Sequence, residues 1–203
     1  MKGVADLVYA CAPHAVAGGC DGACTWWTHD NPGDDPFADR PISLKGWKES
    51  REMLARLWKE HGPFDGLFGF SQGGVAVHQL AVEITLMSAA LLSESPVSGM
   101  PHPELEWGEA EHAFLRHPPK MAIMAAAFPS RSHHTWEART PLALRSLHIS
   151  SPHDVTVKQS LQKDLESRFV PQGRVCLEHE KGHSVPQRAA ELHVLKSFIS
   201  LAV

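Results

Sequence analysis

The sequence predicts an α/β protein whose mostly parallel sheet is flanked by helices. Short apolar runs of strand length stand at 64–70, 144–150 and 174–179. Runs with apolar residues at helical spacing separate or follow them, at 43–61, 72–87, 157–169 and from about 186 onward. Each strand-like run ends in a turn of glycine, serine, proline or aspartate. Strands that alternate with helices pair in parallel, because each return to the same end of the sheet needs a crossover. The 203 residues are enough for one domain with a sizeable core, so a single domain over 1–203 is expected.

In chain order, a loop over 13–41 is rich in glycine, aspartate and proline and carries Trp26-Trp27, two rings that either line a pocket or brace the loop. The helix at 43–61 has Ser43 as a cap, Leu44, Trp47, Leu54, Leu57 and Trp58 as a core stripe, and Gly62-Pro63 as its stop. The helix at 72–87 carries Val75, Leu80, Ile84 and Met87. Residues 88–119, with Pro96, Pro101, Pro103, Pro118 and a run of Glu and His, read as a lid or a surface insertion. Val157, Leu161, Leu165 and Phe169 repeat every four residues, which leaves Asp164 and Glu166 as exposed charges. The last helix starts near Pro186 and presents Leu192, Leu195 and Ile199.

The chemistry centres on Gly69-Phe70-Ser71-Gln72-Gly73-Gly74. A bare G-x-S-x-G also describes a structural glycine turn with an incidental serine. Set between a strand and a helix, it reads equally as a nucleophile elbow, where small residues let strand and helix crowd together and a strained serine projects its hydroxyl. An activated serine needs a base, and the base an orienting acid. Asp154, in the turn Ser151-Pro152-His153-Asp154 after the 144–150 run, is the candidate acid. His183, on the glycine-containing loop after the 174–179 run, is the candidate base. Ser71, Asp154 and His183 stand in the order nucleophile, acid, base, each after a strand. Among fourteen histidines, His179 suits a structural place and His153 a solvated one. The backbone amide of Gln72 is the candidate oxyanion-hole donor.

The segments FDGLFGFSQGG, SLHISSPHDVTV and HEKGHSVP resemble the FSH family of serine hydrolases, which includes the ovarian cancer-associated gene 2 esterases. Residues 5–14 (ADLVYACAPH) are similar to that family's second strand, 119–131 (PKMAIMAAAFPSR) to the strand and turn before the acid, and 42–54 (ISLKGWKESREML) to the helix before the nucleophile strand. The resemblance implies a small cytosolic α/β-hydrolase that cleaves carboxylic esters or thioesters, with Ser71 as nucleophile, Asp154 as acid and His183 as base. It also implies a Leu-His-Gly-like strand and a helix ahead of residue 5, which this sequence does not show. In that topology the strand would lie between 7–9 and the nucleophile strand, and its loop would supply the second oxyanion donor. The expectation is therefore an incomplete chain or a sheet that closes differently. A hydrolase-like binding protein without catalysis is the alternative function, and a peptidase on the same scaffold lacks a recognisable specificity pocket.

A net charge of −4 with no basic cluster argues against nucleic-acid binding, and no run of eighteen apolar residues suggests a membrane span. Cys11, Cys20, Cys24 and Cys176 fit no zinc spacing and read as reduced thiols of a cytoplasmic protein. The triad chemistry needs no metal and no organic cofactor, and the expected partner is a small-molecule ester or thioester. Acyl length, leaving group and oligomeric state are not fixed by these residues.

Overall fold

The computed structural model describes residues 3–16, 18–29, 35–92, 107–138 and 141–201. Four parallel strands form its sheet in the order β3 (Gly66–Phe70), β4 (Met121–Ala125), β5 (Arg145–Ser150) and β6 (Arg174–Glu178). A two-residue antiparallel pair, β1 (His14–Ala15) with β2 (Cys24–Thr25), stands apart from it. The helices are α1 (Trp47–His61), α2 (Gln72–Leu92), α3 (His112–Arg116), α4 (His133–Glu137), α5 (Gln159–Ser167) and α6 (Ala189–Ser200).

Strand alternation divides the core into two layers. Met121, Ile123 and Ala125 of β4, with Leu147 and Ile149 of β5, pack under Leu195, Phe198 and Ile199 of α6. Ala122 and Met124 face the other way, into a larger cluster with α1, α2, α3 and Leu165 of α5. All five β4 residues are buried, as a strand covered on both faces should be. The opposite half of β5 is polar but also buried: Ser146, His148 and Ser150. Burial lowers His148 to about 3, and the ring meets Ser146 Oγ at 3.0 Å. His78 of α2 is likewise lowered to about 3 by burial, and its Nδ1 accepts from the Ser130 amide. Both imidazoles are therefore neutral at pH 7.

α2 is the one helix among the described residues that is long and apolar enough to cross a membrane. Its residues 74–84 are all buried against the sheet and its neighbours, so its hydropathy is that of a core helix. Glu83 sits in that buried stretch, where burial pushes its carboxyl up while Arg51, Gln79 and Trp47 oppose the shift. Arg51 spans Glu83 and Glu111 at 3.3 and 3.4 Å, and all three side chains are buried.

Several expectations are corrected. Residues 5–13 form no strand: Leu7, Val8 and Tyr9 are 48, 52 and 84% exposed. α1 begins at Trp47 rather than Ser43, because Lys45 bridges to Thr28 and Gly46 turns at φ 89° with no side-chain cap. α6 begins at Ala189, with Glu191 accepting from the amides of Gln187 and Arg188. Glu166 is buried rather than exposed, and Asp164 is drawn in by Arg131 and Arg168. In the expected lid, residues 88–92 extend α2, 93–106 lie outside the described residues, and 107–119 pack beneath α1 through Phe114, which is fully buried.

No described strand pairs with the outer edge of β3. A slot of about 900 Å³ runs along it, bounded by residues 3–10, by Leu54 and Leu80 on one side of the sheet and by Leu192 and Leu195 on the other. Phe68, in the middle of β3, is 47% exposed. Edges of parallel sheets are usually covered; among the described residues no strand covers this one.

Candidate active site

Ser71 follows β3 directly and has φ 52°, a left-handed conformation that only a forced turn gives a residue with a side chain. Its amide donates to Ala125 O, and its carbonyl accepts from the amides of Gly74 and Val75 as α2 begins. The crowding explains the glycines: a Cβ on Gly69 would collide with the Gly73 carbonyl, and one on Gly74 would lie 2.6 Å from Ala127 Cβ. The turn is thus a sharp strand-to-helix elbow with the hydroxyl on its outside.

His183 Nε2 lies 3.0 Å from Ser71 Oγ, and His183 Nδ1 lies 2.8 Å from Asp154 Oδ2. That geometry suits the tautomer in which Nδ1–H donates to the carboxylate and Nε2 accepts from the serine hydroxyl. The Asp154 side chain is fully buried, and His183 is 21% exposed, so one flank of the imidazole is open to an incoming molecule. Asp154 Oδ1 accepts from the amides of Thr156 and Val157 at 2.9 and 2.8 Å. Its Oδ2 also accepts from Gln162 Nε2 at 3.1 Å. Four donors therefore hold one buried carboxylate, which offsets its desolvation. Phe70 lies 4.8 Å from the imidazole, ring centre to ring centre.

The structure brings the three residues singled out in the sequence into one chain of hydrogen bonds. His153 points elsewhere: its Nε2 pairs with Glu180 at 2.6 Å on the surface. His179 is buried and accepts from the Lys181 amide through Nδ1. Gln72 stands at the first turn of α2, where backbone amides lack intrahelical acceptors and the helix dipole favours negative charge. Its side chain has a second task that the motif does not announce. Oε1 accepts from Thr25 Oγ1 and the Trp26 amide, and Nε2 donates to Trp27 O. The tryptophan pair is therefore split: Trp27 is buried edge-on against Trp47, while Trp26 lines the slot beside Gly73. Sequence reasoning passed over Gln162, a polar residue on the buried side of α5.

No group of three or more His, Cys, Asp or Glu side chains suited to a metal occurs among the described residues.

The model of the serine hydrolase family FSH1 matches residues 1–195. The chain belongs to that family. Esterase OVCA2 of Bos taurus is 30% identical over 220 residues, covering 98% of this chain and 85% of the relative. Esterase OVCA2 of Homo sapiens is 29% identical, with coverage of 98 and 85%. Among solved structures, esterase PE8 shares the fold at a TM-score of 0.60 and 18% identity, over 95% of this chain and 76% of that one. Acyl-protein thioesterase 2 of Zea mays does so at 0.54 and 13%, over 88 and 72%. The chain accordingly has the α/β-hydrolase fold.

Proposed function

We propose that this chain is a cytoplasmic single-domain enzyme that cleaves carboxylic esters or thioesters through Ser71, His183 and Asp154. The observation that carries the reading is the unbroken contact from Ser71 Oγ through the His183 ring to Asp154 Oδ2, at 3.0 and 2.8 Å. Ser71 Oγ attacks the acyl carbon as its proton passes to His183 Nε2. Asp154 holds the ring in the tautomer that can accept that proton and stabilises the imidazolium. The Gln72 amide, at the positive end of α2, faces the developing oxyanion. His183 then gives the proton to the departing alkoxide or thiolate, leaving an acyl-enzyme. A water that loses its proton to His183 attacks the acyl carbon, and that proton passes to Ser71 Oγ as the acyl–oxygen bond breaks and the acid is released. No step calls for a metal or an organic cofactor.

The names of the relatives support ester cleavage in general; the thioester half of the proposal rests on the chemistry, since the same attack expels a thiolate more easily than an alkoxide. The test is hydrolysis of an aryl acetate and of an acyl thioester by the wild-type chain and by Ser71→Ala. Turnover in the wild type and its loss in a folded Ser71→Ala protein is the expected result. Equal turnover by both would remove Ser71 from the mechanism.

The open β3 edge favours a second reading, a binding protein with impaired catalysis. No strand among the described residues lies along the outer edge of β3, opposite β4, to bring a second oxyanion donor over Ser71. Loss of one such donor costs about a hundred- to a thousand-fold in rate. A folded chain that binds an ester or its phosphonate analogue without turnover would support this reading.

A further inference from the structure

Gln162 is 3% exposed and sits inside α5, and every polar atom of its side chain is spent on the turn that carries the acid. Its Nε2 donates to Asp154 Oδ2 at 3.1 Å and to Val157 O at 2.7 Å, and its Oε1 accepts from the Ser151 amide at 3.3 Å. Ser151, 1% exposed, carries the link onward. Its hydroxyl oxygen accepts from the His153 amide at 3.2 Å and from the Gly182 amide at 3.1 Å, across to the loop that holds the base. At Gly182 the backbone turns at φ 66°, and a Cβ there would stand 3.1 Å from His153 O, so the two loops are in close contact as well as hydrogen-bonded.

We infer that Gln162 and Ser151 are positioning residues, a two-link staple that sets the acid loop and the base loop in register so that Asp154 meets His183 Nδ1. The inference rests on the triad proposed above. A general core role would need Gln162 only to fill space, and leucine or methionine would do that better, since burying an amide is costly unless each hydrogen bond is made. Here both ends of the amide are used, and both point at the acid turn. The other acid–base bridge, His153 with Glu180, is about 60% exposed on each side and screened by water, so it cannot hold the loops as firmly. Displacement of a reacting group by about 1 Å costs on the order of a hundred-fold in rate.

The test uses Gln162→Met, which keeps length and removes all three hydrogen bonds, and Ser151→Ala, which removes the acceptor shared by the His153 and Gly182 amides. Three quantities are read on folded protein: the rate of Ser71 labelling by a fluorophosphonate, the downfield proton resonance of His183 Nδ1–H, and Tm. Gln162→Met should slow labelling about tenfold to a hundredfold and shift or broaden the Nδ1–H signal. Ser151→Ala should move both in the same sense, by less. A fall in Tm with unchanged labelling rate and unchanged Nδ1–H signal would overturn the inference and leave Gln162 a packing residue. If the wild type does not label at Ser71, the catalytic proposal fails, but the Nδ1–H signal still decides whether the staple sets the Asp154–His183 contact. If Gln162→Met does not fold, Ser151→Ala carries the same three readings, and wild-type values for the first two would again overturn it.

Discussion

Asp154, just beyond β5, meets four hydrogen-bond donors and is wholly buried, whereas Phe68, in the middle of β3, is 47% exposed beside a slot of about 900 Å³. The two regions belong to one sheet, separated only by β4. One is over-determined and the other is half-built. The difference teaches that the triad geometry depends on short-range restraints: the glycine-crowded elbow, the turn amides of Thr156 and Val157, and the staple of Gln162 and Ser151. None of these passes through the open edge of β3. The corner can therefore assemble although, among the described residues, no strand pairs with the outer edge of the strand beneath the serine.

Three measurements separate the two regions. The largest effect is expected at the closed corner. Asp154→Asn keeps the shape of the side chain but supplies an amide where His183 Nδ1–H needs an acceptor, and the rate of ester cleavage should fall about ten-thousand-fold. Steady-state kinetics on an aryl acetate measure it; a loss below tenfold would mean that the buried carboxylate is structural. A smaller effect separates the two sides of the sheet. Leu147, fully buried in β5, should cost about 2–5 kcal/mol when changed to Ala, whereas Phe68→Ala should cost under about 1 kcal/mol, because half of its ring already faces water. Urea midpoints of the two variants compare them directly. Equal losses would show that the β3 edge is covered in solution.

The third effect concerns pH. His78 and His148 are each lowered from 6.5 to about 3, chiefly by burial. Between those values the unfolded chain takes up protons that the folded chain refuses, so stability falls as pH falls through that window. From pH 7 to pH 5 the loss is roughly 2 kcal/mol per histidine. Glu83 acts in the opposite sense, since burial raises its carboxyl and the folded state gains from its proton. Two histidines against one carboxyl leave a net loss, to be seen as a lower Tm at pH 5 than at pH 7. A Tm that holds or rises on acidification would mean that one of these rings is charged or solvated in the fold.

Much of the sheet and the candidate site is legible in the sequence because it is local. Ser71, Asp154 and His183 each stand in a turn just after an apolar run, and strand, turn and helix boundaries are short-range signals. The parts that are not legible depend on distant partners. Residues 5–13 have the composition of a strand, but a strand exists only where a neighbour pairs with it, and the slot separates this segment from β3. Ser43 has the chemistry of a helix cap, yet the Thr28–Lys45 bridge holds the chain extended until Gly46. Glu166 falls on a polar helical position and is buried because α5 lies against β5 and Arg174 donates to its carbonyl. Gln162 is invisible as a positioning candidate until the acid turn is folded over it.

Activation of Ser71 by His183 underlies the whole reaction. The most direct test is to react the purified, folded protein with a fluorophosphonate and locate the adduct by peptide mass spectrometry. A single adduct on Ser71 is expected, absent from Ser71→Ala and strongly slowed in Asp154→Asn. A folded chain with no adduct, or with one on another residue, would contradict it.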